Sequence, residues 1–538
     1  MVFRCFEQLW RSLLRTNSGA RASLAALASV ALLVASSLPT QAASPERYRE
    51  LIDSRIVARW EREGATPSPL VSDAEFLRRV WLDLAGEAPS AGQVQAFLED
   101  TNPEKRQRVT RELLASSHYV QRFADQWTEL LVPEGDSNFQ LAFAKEEMRS
   151  WLRSQALQGV PYDQLVRSLL MVPLSPNTRS GNVYYSNSVD PKPTAFYAAK
   201  DTAPENLAAA TSRVFLGIRV DCAQCHDHPF ADWTREQFWG YAAFYQGLGR
   251  SQGTNFLVDF FLKGATEEVT IGIPETAKRV PAKFLNGESP ALRGKRPRDI
   301  VADWVVSRDN PYFARAMVNR TWADLLGRGI IDPVDDMDHS NPPSHPELLD
   351  ELATAFAEDF DVPRLIEGIV MSAPYQRSSV RTDSTQEAPE LFARFLPRRL
   401  DAAQVERSLQ KAFSLTVPPY TPGVVYNNRN EFQAVFRSSA APLDRTSSVQ
   451  QMLLLMNGTL AQSAIAPKGT IISAWTQLPG ATQEELVEMA YLSILGRLPR
   501  DEEMSRMKAH LEASSTLAEG LADISWVLLN SAEFVVNH

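Results

Sequence analysis

Cysteine is almost missing. The 538 residues hold three, at positions 5, 222 and 225, too few for a disulfide-stapled scaffold. A basic excess is missing too: 55 Lys and Arg stand against 65 Asp and Glu, net -10. Nucleic-acid binders carry a basic face, so no nucleic-acid partner is expected. Glycine, at 25, is outnumbered by proline, at 34, which points to stiff loops and proline-started helices. Histidine is scarce, with seven residues, so general bases are few. No Gly-x-Ser-x-Gly elbow, phosphate-binding loop, dinucleotide fingerprint or His-Glu-x-x-His occurs. What remains, 44% hydrophobic and 22% charged, is ordinary globular composition.

Ala22 to Ala43 carries no charge and is rich in Ala, Leu and Val, and it follows a leader carrying Arg4, Arg11, Arg15 and Arg21. With small residues at Ala42 and Ala43, residues 1–43 read as a signal peptide. The protein is then exported, periplasmic or extracellular, with no transmembrane domain once the leader is cut. The alternative is a retained N-terminal membrane anchor, since such a run is just long enough to span a bilayer. Cys5 leaves with a cleaved leader, so the mature chain holds two cysteines, in Cys222-Ala-Gln-Cys225-His226.

Cys-x-x-Cys-His is the attachment sequence for haem c. Cys222 and Cys225 would bond the macrocycle and His226 the iron. Attachment takes place outside the cytoplasmic membrane, so leader and motif support each other. Two other readings stay open. Cys222, Cys225, His226 and His228, completed by His339 or His345, suit a zinc site. A disulfide or redox pair between Cys222 and Cys225 is the third. No Met lies between His226 and Met317 to serve as a near sixth iron ligand. Downstream, Asp335, Asp336, Asp338 and His339 form an acidic loop. It suits calcium or another cation, although its spacing is not that of an EF-hand; helix capping and solvation are the plain account.

Helical periodicity dominates the rest. Residues 45–64 carry an apolar stripe at Tyr48, Ile52, Ile56 and Val57, and Ser72 with Glu75 has capping-box spacing. Ser344 with Glu347 has the same spacing before a helix at 346–356. Arg213–Val220 reads equally as a helix end or a short strand. The helix at 234–247 puts Phe238, Tyr241 and Tyr245 on one face, either as core or as the wall of a cofactor pocket. Residues 252–284 suggest a small β insert, and 175–203 and 414–447 long loops. The fold class expected is mainly α, a multi-helix architecture with a small β insert near 252–284 and long ordered loops. Residues 76–97 and 486–507 echo each other as helix, Gly-x-x-Pro, helix. The phrases LLASSHYVQRF at 113–123 and LLNSAEFVVNH at 528–538 follow them, with a third copy at 365–379.

FLRRVWLDLAGEAPSAGQVQAF at 76–97, VFLGIRVDCAQCHDHPFADWT at 214–234 and NPYFARAMVNRTWADLLGRGIIDPVDDMDHSNPPSHPELLD at 310–350 carry a family resemblance. The chain resembles the planctomycete-type exported proteins that pair a DUF1549 domain, also called planctomycete cytochrome c-like, with a DUF1553 domain. The resemblance implies a helical DUF1549-like domain with the Cys-x-x-Cys-His motif over 44–290 and a helical DUF1553-like domain over 291–538. The cytochrome label rests on that same motif and adds no separate support for haem.

Three functions follow. The first is an exported haem c redox or electron-transfer protein, with Phe230, Trp233 and Trp239 as a dry wall and a redox protein as partner. The second is an exported metalloprotein, with zinc on Cys222, Cys225, His228 and His345. Its acid, base or second cation would sit at Asp335, Asp336, Asp338 and His339, and a surface polymer would be its substrate. The third is a structural or interaction protein with a Cys222–Cys225 clamp. If the two His-bearing phrases make one site, loop 222–228 should face loop 335–345 within roughly 15 Å.

Overall fold

The computed structural model describes residues 43–133, 139–174, 191–228, 231–246, 248, 269–291, 295–415, 449–468 and 470–538. The expected leader, apart from Ala43, and the loop at 416–447 therefore lie outside the described residues, as do Phe230 and most of the 175–203 loop.

The first helices are α1 Pro45–Glu63, α2 Asp73–Leu84, α3 Ala91–Glu99, α4 Lys105–Leu114, α5 Ser117–Leu131, α6 Phe139–Leu157 and α7 Tyr162–Leu170. The middle of the chain gives α8 Ala195–Ala199, α9 Pro204–Leu216, α10 Arg235–Ala242, strands β1 Thr270–Gly272 and β2 Arg279–Pro281, α11 Pro297–Val305, α12 Phe313–Leu326, α13 Pro346–Phe356 and α14 Val362–Val370. The last part holds β3 Arg398–Arg399, α15 Ala402–Ala412, α16 Val449–Asn457, α17 Thr459–Ala464, α18 Ile471–Trp475, α19 Gln483–Ile494, α20 Asp501–Ala513, α21 Leu517–Leu529 and β4 Val536–Asn537. The mainly helical class with a small β insert is what the sequence led us to expect. The insert is the antiparallel β1–β2 ribbon, with Ile271 opposite Val280; residues 252–268 of the expected insert lie outside the described residues. A second two-residue pairing, β3 with β4, joins residues 398–399 to 536–537.

Local chemistry explains the helix ends. Ser72 and Glu75 form the expected capping box, as do Ser90 with Gln93 and Thr482 with Glu485. The box expected at Ser344 and Glu347 does not form. Pro346 occupies the first turn of α13, His345 becomes the N-cap, and the Ser344 hydroxyl donates instead to the Ile330 carbonyl at 3.0 Å. Proline at the first position needs no amide partner, so the start moves by one residue. Glu347 pairs with Arg55. Arg213–Leu216 is the last turn of α9, not a strand: Gly217 closes the helix in the left-handed region at φ 68°. On α1 the buried stripe is Tyr48, Ile52, Ile56 and Trp60, a strict fourfold spacing, while Val57 faces solvent.

The internal echo is a repeated set of backbone bonds. Gly86 and Gly496, at φ 69° and 72°, close α2 and α19 with the same two amides, residues 85 and 86 to the Trp81 carbonyl and residues 495 and 496 to that of Tyr491. At the ends of α4, α14 and α21, the hydroxyls of Ser116, Ser372 and Ser531 donate to the carbonyl three residues back at 2.6, 2.6 and 2.7 Å. In each case an aromatic three residues on, Tyr119, Tyr375 or Phe534, plugs the core. A polar pairing recurs at the equivalent positions: Glu87 lies 3.4 Å from His118 Nδ1, and Arg497 meets Glu533 at 2.6 Å.

Residues 44–538 close into one unit. Helix α1 packs on α13 and α14, and Gly368 lets the Tyr48 side chain lie against α14 backbone. The carboxy-terminal core of Val405, Leu409, Ile494, Leu521 and Phe534 includes Leu82 and Ala88 from the first helices. Polar staples fix this meeting. Arg78 donates to the Glu533 and Phe534 carbonyls at 3.0 Å each, and buried Arg79 donates to the Tyr375, Arg377 and His538 carbonyls. The Asp83 carboxylate takes Arg398 at 2.7 and 2.8 Å, the Tyr375 hydroxyl at 2.8 Å and the Asn537 amide at 2.8 Å.

Candidate functional site

The cysteine motif sits on a one-turn 3₁₀ segment, Asp221–Gln224, directly after α9 and the Gly217 turn. In a 3₁₀ turn residues three apart eclipse each other, so Cys222 and Cys225 share one edge. Both are exposed free thiols. Between them Ala223 is buried and anchors the turn. The Gln224 carbonyl is gripped from below, by the Trp239 indole N–H at 3.0 Å and Arg235 Nε at 3.3 Å. Asp227 accepts the Arg235 backbone N–H at 2.8 Å, tying the loop to the start of α10.

The two histidines next to the thiols differ. Exposed His226 has its Nδ1 2.7 Å from the Asp227 carbonyl oxygen. A carbonyl only accepts, so Nδ1 carries a proton, which in the neutral ring leaves the lone pair on Nε2. His228 is the reverse: its Nδ1 accepts the Ala231 amide at 2.9 Å, which places the proton of the neutral ring on Nε2.

The acidic loop adjoins this turn. Fully buried Asn319 of α12 holds it, donating to the Ile331 and Val334 carbonyls at 2.9 and 3.2 Å and accepting the Ile331 amide at 2.9 Å. The Met337 amide then donates to the Gly217 carbonyl at 2.8 Å, and Arg219 pairs with Asp335 at 2.7 Å. The two phrases thus lie side by side. Burial raises the Asp221 carboxyl against the pull of Arg213 and Arg219. Burial and neighbouring Asp338 raise that of Asp336, against Arg219 and His228. The carboxylates already have work inside the loop. Asp335 serves Arg219, and Asp338 accepts the Ser340 amide and hydroxyl at 2.6 Å each. His339 is exposed.

His345 is elsewhere in its contacts. It is 6% exposed, packs on the Phe392 ring at 5.7 Å and has Nδ1 3.2 Å from the Ser344 hydroxyl. Burial, with the charges of Arg59 and Arg62, pushes its pKa down to about 4. Among the described residues no group of three or more His, Cys, Asp or Glu converges to hold a metal ion.

The aromatic helix is core. Phe238, Trp239, Tyr241, Phe244 and Tyr245 are all buried, and the two tyrosine hydroxyls donate to Thr211 at 3.4 and 3.0 Å. Trp239 alone of the five hydrogen-bonds the motif turn; half-buried Trp233 gives its carbonyl to the His228 amide at 2.8 Å. Sequence reasoning missed Arg219, Arg235 and the Gln224 carbonyl, whose roles depend on partners 11 to 116 residues away. It also missed a cavity lined by Asp83, Tyr119, Arg122, Gln126, Asp324 and Arg398, apart from the cysteine turn. No helix among the described residues is long and apolar enough to cross a membrane.

Residues 51–250 match the family model described as a protein of unknown function (DUF1549), and residues 297–439 match that described as a protein of unknown function (DUF1553). No curated protein and no solved structure matches the chain.

Proposed function

We propose, from the premise that the chain belongs to the DUF1549 family in its first half and to the DUF1553 family in its second, that it is an exported, planctomycete-type redox protein. Cys222 and Cys225 would hold haem c covalently and His226 would be the iron ligand. The observation that carries this reading is the state of His226. Its Nδ1 proton is committed to a backbone carbonyl 2.7 Å away, the usual second contact of a metal-ligating histidine, which orients the ring and makes Nε2 more basic. Two exposed thiols on one edge of the same turn supply the other half of the attachment chemistry. When bound, the group supplies one-electron chemistry. The chain's part is to hold the turn rigid through Trp239 and Arg235 and to present its edge to a partner protein.

The same details weigh against zinc. His228 spends its Nδ1 lone pair on Ala231, and His345 is buried under Phe392. Polymer hydrolysis by the acidic loop is likewise less favoured, because Asp335 is neutralised by Arg219.

The test is an absorption spectrum in alkaline pyridine. The mature chain would be purified from a host that attaches haem c. The expected result is close to one covalent haem per chain, lost in Cys222→Ser and Cys225→Ser. A haem-free chain, made where a control cytochrome matures, discards the reading. Elemental analysis of that sample then separates a metal site from a cysteine clamp.

A further inference from the structure

Haem iron takes axial ligands from His and Met side chains. With His226 on one side, the other axial position remains to be assigned. Most nearby candidates are already committed to the fold. Met337 is 7% exposed, and its Sδ and Cε lie 3.1 Å from where a Cβ on Gly217 would stand, so its thioether packs against that turn. Met317 is 5% exposed and lines the cavity between α5 and α12. His345 is buried under Phe392. His228 is two residues from His226 and gives its Nδ1 lone pair to the Ala231 amide.

His339 differs from all four. It is exposed, and among the described residues its ring makes no hydrogen bond, ion pair or ring contact. Its backbone, by contrast, is well held. The Asn341 side-chain amide donates to the Asp336 carbonyl at 3.0 Å, and the Asn341 backbone amide to that of Asp338 at 3.2 Å. The Asp338 carboxylate takes the Ser340 amide and hydroxyl at 2.6 Å each. Residues 336–341 therefore form a braced turn that carries a free imidazole. The turn is fastened to the segment that leads into the motif. Two residues before His339, the Met337 amide donates to the Gly217 carbonyl at 2.8 Å. Three residues before Cys222, Arg219 pairs with Asp335 at 2.7 Å. Beyond the motif, His228 lies near enough to act on the Asp336 carboxyl. His339 can turn towards the cysteine edge without breaking a contact, whereas Met317, Met337 and His345 would have to leave the core.

We propose, resting on the haem reading, that His339 is the second axial ligand of the iron, opposite His226. The site is then shared: the DUF1549 half supplies the thiols and one imidazole, and the DUF1553 half supplies the other imidazole. The mature full chain, made in a host that attaches haem c, is first assayed for covalent haem in alkaline pyridine. Electron paramagnetic resonance and the visible spectrum of the ferric protein then report the ligands. A low-spin bis-histidine signal is expected in the parent and in Met337→Leu. His339→Ala should turn high-spin and return to low spin with added imidazole. Should His339→Ala fail to mature, His339→Met takes its place; it should stay low-spin with a raised midpoint potential, as methionine ligation brings, and an unchanged potential overturns the proposal. Absence of covalent haem from the parent overturns this inference together with the haem reading. One covalent haem that is high-spin in the parent, or still bis-histidine in His339→Ala, overturns this inference alone.

Discussion

Replacing Asp83 with alanine should destabilise the protein by about 4 kcal/mol. Its carboxylate side chain is 3% exposed and its partner Arg398 19% exposed. Breaking a buried ion pair from one side costs about 3–5 kcal/mol, because the other charge stays behind without compensation. Tyr375 and Asn537, each 2.8 Å from the carboxylate, also lose their acceptor, at about 1 kcal/mol or more apiece. Some of these costs overlap, since Arg398 also reaches the Asp324 carbonyl and keeps some access to solvent. Against a total of about 5–15 kcal/mol, the loss is large. The assay is equilibrium unfolding in urea, followed by tryptophan fluorescence and by far-ultraviolet circular dichroism. The double variant Asp83→Leu with Arg398→Leu removes both charges and should recover about 2 kcal/mol relative to Asp83→Ala. A loss below about 1 kcal/mol in Asp83→Ala, or a double variant less stable than the single, would refute the reasoning.

Two further outcomes can be checked directly. His345 has a pKa of about 4 in the fold against about 6.5 unfolded. The unfolded chain thus binds the extra proton between these values. Stability from this residue is full above pH 6.5 and falls by about 3 kcal/mol as pH drops through 4; in His345→Phe the urea midpoint should change less between pH 7 and pH 4.5 than in the parent. The paired glycines separate strain from crowding. Gly496→Ala should cost about 1–2 kcal/mol for its left-handed backbone alone, since a Cβ there meets Arg78 no closer than 3.6 Å. Gly86→Ala should cost more, because its Cβ would come within 2.8 Å of Arg122 Cδ and disturb the Arg122–Asp401 pair; thermal unfolding of the two variants side by side tests the order.

Most of the helices were legible in the sequence because their signals are local. Ser72 with Glu75 and the serine–aromatic helix ends all act within three or four residues. The failures have equally local causes. Val57 fitted an apolar stripe, but the fourfold spacing continues to Trp60, which hydrogen-bonds the Leu391 carbonyl at 2.7 Å. Ser344 had capping spacing, and Pro346 displaced the start. The site was legible as a motif and not as an environment. Nothing near Cys222 in the chain tells that Trp239 and Arg235 will share one carbonyl, or that Asp335 will be taken by Arg219. The Asp83 cluster was invisible for the same reason: its partners lie 292 to 454 residues away.

Those long-range partners bear on how the protein can be taken apart. A fragment ending near residue 290 would keep Arg78, Arg79 and Asp83 but lose Tyr375, Arg398 and the 533–538 segment that neutralises and covers them. The complementary fragment would expose Phe534 and Val535 where α2 should lie. Each piece alone presents both stranded charge and bare apolar surface, matched in shape and sign to the other. Such pieces are sticky towards each other before they are soluble apart, so co-expression should rescue what separate expression loses.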